Sequence, residues 1–330
     1  MPRKARAANP TQTLIIQGNE DVPSALENKV TNESLAKCNM QSQSPLFGVL
    51  PPELRNDIFE LATQPYDDER HVYKPNAYFY RPGHHAKQKV DTASMLTCRR
   101  VWLEANYLPM RQFEPTFWFK GEERRPDWTH QAKSPRSKYN LRHSRPSVNT
   151  TEENRYKTFV VSLTAANVDN LQTLHFLGQL YWLESDCLHL LLTGGSIPTV
   201  PHVKVTVRHT DWWWWESDEE LRLDYDWIVT LLAQTFAATS TSTFELQLET
   251  LSGKVPQLEA IIEDIKEGHS MITERDGDRY WKLQDESGKE VLAWDGPADV
   301  GGIRWRMAHS ADGEKLEYRV HSLVWKRNGA

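Results

Sequence analysis

Two kinds of apolar spacing organise the chain. Between Leu46 and Phe119 the period is helical. Pro51 and Pro52 open the first pattern, where proline's fixed φ and missing N–H suit a first turn, and Leu54, Ile58, Leu61 and Ala62 continue it along one face. Asp91 reads as the N-cap of a second helix, with Met95, Cys98, Trp102 and Ala105 on one side and Leu96, Leu103 and Tyr107 on another. Two apolar sides predict burial between neighbours.

After Thr158 a period of two appears. Val203, Val205 and Val207 alternate with Lys204, Thr206 and Arg208, and Phe244, Leu246 and Leu248 alternate with Glu245, Gln247 and Glu249. This is the pattern of strands with one buried face. Phe159, Val161 and Leu163 predict a further strand. Helices are predicted at Val168 to Leu183, at Tyr225 to Ala237 and at Gln257 to Lys266, where Leu258, Ile261, Ile262 and Ile265 make one stripe. The alternation predicts a sheet covered by helices. Beyond Ser270 the turn pairs Asp276-Gly277, Ser287-Gly288 and Asp312-Gly313 separate short runs and predict hairpins.

Composition divides the chain without changing that picture. Its 330 residues are 39% hydrophobic, with a mean hydropathy of −0.64, enough for a core with sizeable polar segments outside it. Residues 1–44 are rich in Asn, Gln, Ser and Thr and predict a flexible tail. Residues 45–119 form the helical unit, and 120–157, with 10 basic against 5 acidic residues and three prolines, predict an exposed basic loop. The remainder, 158–330, carries 15 basic against 27 acidic residues, and the whole chain −6. Nucleic acid is therefore not expected as a partner, since phosphate binding needs a clustered cationic face and only the loop offers one. Thirteen tryptophans favour a packed fold, because each buried indole removes a large apolar area from water.

Cys38, Cys98 and Cys187 are odd in number and widely spaced, so neither a disulfide framework nor a metal knuckle is expected, and a reducing compartment fits. Arg3, Lys4 and Arg6 have no apolar stretch behind them, which excludes a secretory signal, and the longest uncharged span, Trp227 to Phe244, is too polar for lipid. An intracellular protein, cytoplasmic or nuclear, with no membrane contact is expected.

Candidate chemistry is sparse. Gly194-Gly195 and Gly301-Gly302 lie outside any phosphate-loop frame. The pairs His84-His85 and His202 with His209 lack the helical spacing of a zinc hydrolase, and no GxSxG elbow exists. Cys98, on an apolar stripe, reads as an inert core thiol. No catalytic residue, metal or cofactor is expected, and the chain reads as a binder rather than an enzyme. The one local cluster to inspect for catalysis is His202, His209, Asp211 and Glu216.

The strip Leu50-Pro51-Pro52-Glu53-Leu54-Arg55-Asn56-Asp57-Ile58-Phe59, followed by Leu96-Thr97-Cys98-Arg99-Arg100-Val101-Trp102-Leu103-Glu104-Ala105, resembles the F-box. More closely, it resembles the F-box-like proteins of filamentous fungi, in which the two helices are separated by an insertion, here Tyr66 to Val90. F-boxes dock an apolar face on the Skp adaptor of cullin-based ubiquitin ligases while the rest of the chain recruits a protein substrate. The resemblance implies that Leu50, Pro51, Leu54, Ile58 and Phe59 face the adaptor, with Cys98 and Trp102 supporting the second helix. A competing expectation is an interaction or scaffold protein whose F-box-like helices are purely structural.

His209-Thr210-Asp211 leads into four consecutive tryptophans, Trp212, Trp213, Trp214 and Trp215, followed by acidic residues. Adjacent side chains in extended chain point oppositely, so four indoles cannot all enter one core. These four are the candidate partner-binding residues, exposed aromatics with an acidic rim being common hot spots; the bland alternative is a small core under a loop. The expected architecture is α+β: an N-terminal F-box-like helical unit packed on a C-terminal β/α region ending in β-hairpins.

Overall fold

The structure, a computed structural model, describes residues 38–119, 150–194, 200–217, 219–304 and 315–329. Residues 1–37 of the expected 1–44 tail, most of the basic loop and the Asp312-Gly313 turn lie outside the described residues.

The chain is α+β. After a one-turn helix at Pro45–Gly48, α1 (Pro52–Ala62) starts at the expected proline pair. A hairpin of β1 (Tyr66–Val72) and β2 (Ala86–Lys89) fills the insertion. The second helical pattern is broken rather than continuous. Asp91 Oδ1 accepts the Ala93 N–H, but the segment it opens is a 3-10 turn, Ala93–Leu96. Cys98 is extended, and α2 (Arg99–Ala105) begins only after it. Leu96 consequently points to solvent, 81% exposed, instead of joining a second apolar side. Helix α3 (Leu108–Gln112) then leads to β3 (Thr116–Phe119).

Four parallel strands follow in chain order across the sheet: β3, β4 (Thr173–Gly178), β5 (His202–Val207) and β6 (Thr243–Leu251). The connections carry α4 (Thr150–Ser162), α5 (Ala165–Asn170), α6 (Leu180–Leu183), α7 (Cys187–Thr193) and α8 (Asp226–Thr230), because parallel neighbours need long crossovers. A π turn, Leu231–Thr235, and a 3-10 turn, Phe236–Ala238, extend α8 over the predicted helix. After β6, α9 (Val255–His269) buries the expected stripe of Leu258, Ile261, Ile262 and Ile265.

Two expectations between residues 150 and 183 are corrected. Phe159, Val161 and Leu163 are not a strand. Phe159 and Val161 lie within α4, which also takes in the end of the supposed basic loop, and Leu163 follows it. Tyr156, Phe159, Val160 and Leu163 share a helical face on the core while Val161 is 86% exposed. Over five residues the two periods are hard to separate. The span Val168 to Leu183 is not one helix either. It holds the end of α5, all of β4 and the one-turn α6. Residues Leu174 to Gly178 are buried on both faces, and a doubly buried strand reads as a continuous apolar run.

The sheet is completed by antiparallel strands. β12 (Lys315–Gly329) pairs with β6 along one edge. Its other edge takes β8 (Arg279–Leu283) near the C-terminal end and β9 (Glu290–Pro297) near the start. β7 (Met271–Thr273) pairs with β8 across the Asp276-Gly277 turn, as expected. Ser287-Gly288 is not a hairpin turn. β8 and β9 run the same way along β12, and the segment between them bridges the gap, Gly288 N–H donating to Ser322 O. Gly301 and Gly302, both at positive φ, make the tight turn between β10 (Asp299–Val300) and β11 (Ile303–Arg304).

Phe117, Phe176, Val205, Leu246 and Leu323 lie opposite one another in register across five strands. They belong to the main core, with the apolar sides of the crossover helices. Trp227, Trp281 and Trp325 are fully buried there. The other face of the same strands is mostly polar, with Trp118 and Leu177 packed against Phe79 at its β3 side. One row runs Thr116, His175, Lys204 and Glu245, and the next runs Leu177, Thr206, Gln247 and Ser322. The β1–β2 insertion and the segment around Glu114 approach this second face.

Candidate functional site

Helix α1 is turned opposite to what its apolar periodicity suggests for a core helix. Its buried residues are Arg55 and Phe59. Phe59, 3% exposed, packs with Met95, Val101, Ala105 and Leu108 in a small core of its own, with Cys98 and Trp102 beside it. Arg55 gives Nε and Nη2 to the Glu104 carboxylate at 2.9 and 3.2 Å, and Nη1 to Leu50 O at 2.8 Å. That forked, charge-assisted clamp fixes the helix by its polar side. The apolar side is left out: Leu54 is 48%, Ile58 42% and Leu61 67% exposed. Pro51 is exposed and Leu50 half-buried. Of the five residues expected to face an adaptor, Phe59 is therefore corrected to a structural role, because it supplies the apolar anchor of the helical unit.

The tryptophan run splits in two. Trp212 and Trp215 are buried in the main core, and Trp212 Nε1 donates to Glu249 O at 2.8 Å. Neither is available to a partner, which corrects half of that expectation. Trp213 and Trp214 are 40% and 65% exposed. Trp213 Nε1 donates to Glu184 Oε2, and burial pushes the Glu184 carboxyl above its ordinary range. Trp214 sits at φ +53°, a left-handed conformation unfavourable for a bulky side chain.

The catalytic cluster suggested by spacing does not converge. His202 lies 3.2 Å from Glu245, while Asp211 forms a buried, forked ion pair with Arg208 at 2.7 Å. None of His202, His209, Asp211 or Glu216 lines the cavity on the polar sheet face.

That cavity, about 470 Å³, opens on the polar sheet face between the β1–β2 insertion, the Gln112–Thr116 segment and β9. His175 stands on its floor, 1% exposed. Its Nδ1 lies 2.8 Å from Glu114 Oε1 and its Nε2 2.8 Å from Thr206 Oγ1. Burial holds this imidazole down to about 4, against the opposing pull of Glu114. For Glu114 burial acts upward, but His175 and Lys204 outweigh it and set the carboxyl at about 2. His84, whose ring lies 5.7 Å from that of His175, is lowered by burial and by the charges of His175 and Arg81. The imidazoles are thus neutral and the carboxylate charged at neutral pH. Thr206 is fully buried, so the Glu114–His175–Thr206 chain orients the imidazole and does not present a hydroxyl to the cavity.

Sequence reading missed Arg81, His84, Glu114 and His175 as a group. They come from separate segments of the chain, and no fixed spacing connects them. The available hint was the polar set on β5 and β6, where Lys204, Thr206 and Gln247 alternate with core residues.

No family model matches the chain, and no curated protein or solved structure matches it either. Among the described residues no cluster of three or more His, Cys, Asp or Glu is placed to hold a metal, and no helix is long and apolar enough to cross a membrane.

Proposed function

We propose that the chain is an F-box-like protein-interaction module, intracellular and binding rather than catalysing. It docks a Skp-type adaptor of a cullin-based ubiquitin ligase through α1 and recruits a protein substrate through its C-terminal region. The observation that carries this reading is the outward apolar ridge of Leu54, Ile58 and Leu61 on a helix clamped from behind by Arg55 and Phe59. A helix held on its polar side leaves its apolar side for another molecule, and an exposed apolar strip on a rigid helix is a helix-face recognition element. Pro51, exposed, and Leu50, half-buried, precede the helix, and Trp213 and Trp214 are the indoles of the run left exposed for a substrate.

The test is capture of the full chain by a purified Skp-type adaptor. Wild type is expected to bind, and Leu54→Asp with Ile58→Asp to lose binding. Both positions are more than two-fifths exposed, so the double variant should keep its unfolding free energy within the ~0.5 kcal/mol per site of ordinary surface changes. Failure of wild type to bind, or equal capture of the double variant, overturns the proposal.

A further inference from the structure

We infer that the cavity on the polar sheet face is a binding site for a small organic carboxylate with a short apolar tail. This is independent of the docking ridge. Each lining amide already spends one N–H within the chain: Gln112 Nε2 donates to Glu60 O, Gln247 Nε2 to Glu245 Oε1, and Gln88 Nε2 to Asp67. Thr116 Oγ1 likewise donates to Glu114 O. Among the cationic side chains that line it, Arg81 and Lys204 keep donor capacity.

Arg81 lines the cavity and is itself 4% exposed, and its Nε and Nη1 find no hydrogen-bond partner among the described residues. Its carboxylate neighbour, Glu249, stands off at 3.6 Å from Nη2. Lys204 Nζ reaches Glu114 Oε1 only at 3.9 Å, and Glu245 lies opposite Lys204 in the neighbouring strand. A buried guanidinium without its hydrogen bonds calls for an acceptor, and paired oxygens of a carboxylate match it best. The Glu114 oxygen nearest Lys204 is the one that lies 2.8 Å from His175 Nδ1. Across the cavity Val291, Leu292, Val320 and Phe113 offer apolar surface, which phosphate does not use and a hydrocarbon tail does.

Isothermal titration of the full chain tests this with three probes: isocaproate, its neutral amide isocaproamide, and inorganic phosphate. Isocaproate should bind saturably, and the amide at least roughly tenfold more weakly. Because Arg81 is buried and its loss endangers the fold, Lys204→Gln is the variant of choice. It should weaken isocaproate by about tenfold and leave the amide unchanged. Leu292→Trp, which fills the apolar side, should abolish binding of both with little change in melting temperature. Equal binding of acid and amide, tighter binding of phosphate, unchanged affinity in Lys204→Gln, or no saturable binding of isocaproate up to about 10 mM overturns the inference.

Discussion

His175 shows how one residue couples the fold to pH. Its folded pKa, about 4, lies below the 6.5 of an ordinary imidazole. On acidification the unfolded chain therefore takes up a proton that the folded chain refuses. The stabilisation is fully present above about pH 6.5 and is lost as pH falls towards 4, up to roughly 3 kcal/mol. Glu114, held at about 2, extends the loss below its ordinary 4.5. Chemical denaturation at a series of pH values should show stability falling from pH 6.5 downward in wild type and a shallower limb in His175→Gln. An unchanged limb would show that this imidazole already titrates normally. Trp214 tests a different local effect. Glycine at φ +53° relieves an unfavourable left-handed backbone, so Trp214→Gly should hold or raise stability by up to about 1 kcal/mol. Loss of more than that would mean the exposed indole packs more tightly than its 65% exposure indicates.

At the scale of elements, α1 separates anchoring from docking. Phe59→Ala should cost about 3 kcal/mol or more in denaturant unfolding, as expected for deleting a buried phenyl group, against near neutrality for the ridge variants. The periodicity of this helix was legible in the sequence, but its orientation was not. Periodicity identifies an apolar face, while the Arg55–Glu104 pair, 49 positions apart, decided which face turned inward. The bridging segment between β8 and β9 makes a similar point. Gly288 has φ +86°, and a Cβ there would sit 2.6 Å from Ile262 Cγ2 on α9. Gly288→Ala should therefore lose about 1–3 kcal/mol, combining backbone strain with overpacking. The same Ser-Gly pair reads as a hairpin from sequence, because the turn chemistry is identical and only the shared partner strand β12 makes the two strands collinear.

For the whole molecule, Arg327 ties the end of β12 to the rest. Its guanidinium binds Glu274, whose side chain is fully buried, and the carbonyls of Ala237 and Thr239 beyond α8. Arg327→Gln leaves that carboxylate with Arg279 as its remaining ion-pair partner, and thermal or denaturant unfolding should register a loss of about 3 kcal/mol or more. A loss under about 1 kcal/mol would mean that Arg279 alone satisfies Glu274. The sequence by itself determined the α+β class, β5, β6 and the stripe of α9, because each buries one face and so prints its period on the chain. It also determined that four adjacent indoles would divide. The doubly buried β4, the break before α2 and the cavity were decided only by tertiary structure. A strand covered on both faces has no polar phase to read. Long-range charges such as Arg81, Glu114 and His175 meet only when the sheet and its insertion close over one another, so nothing in their local sequence marks them.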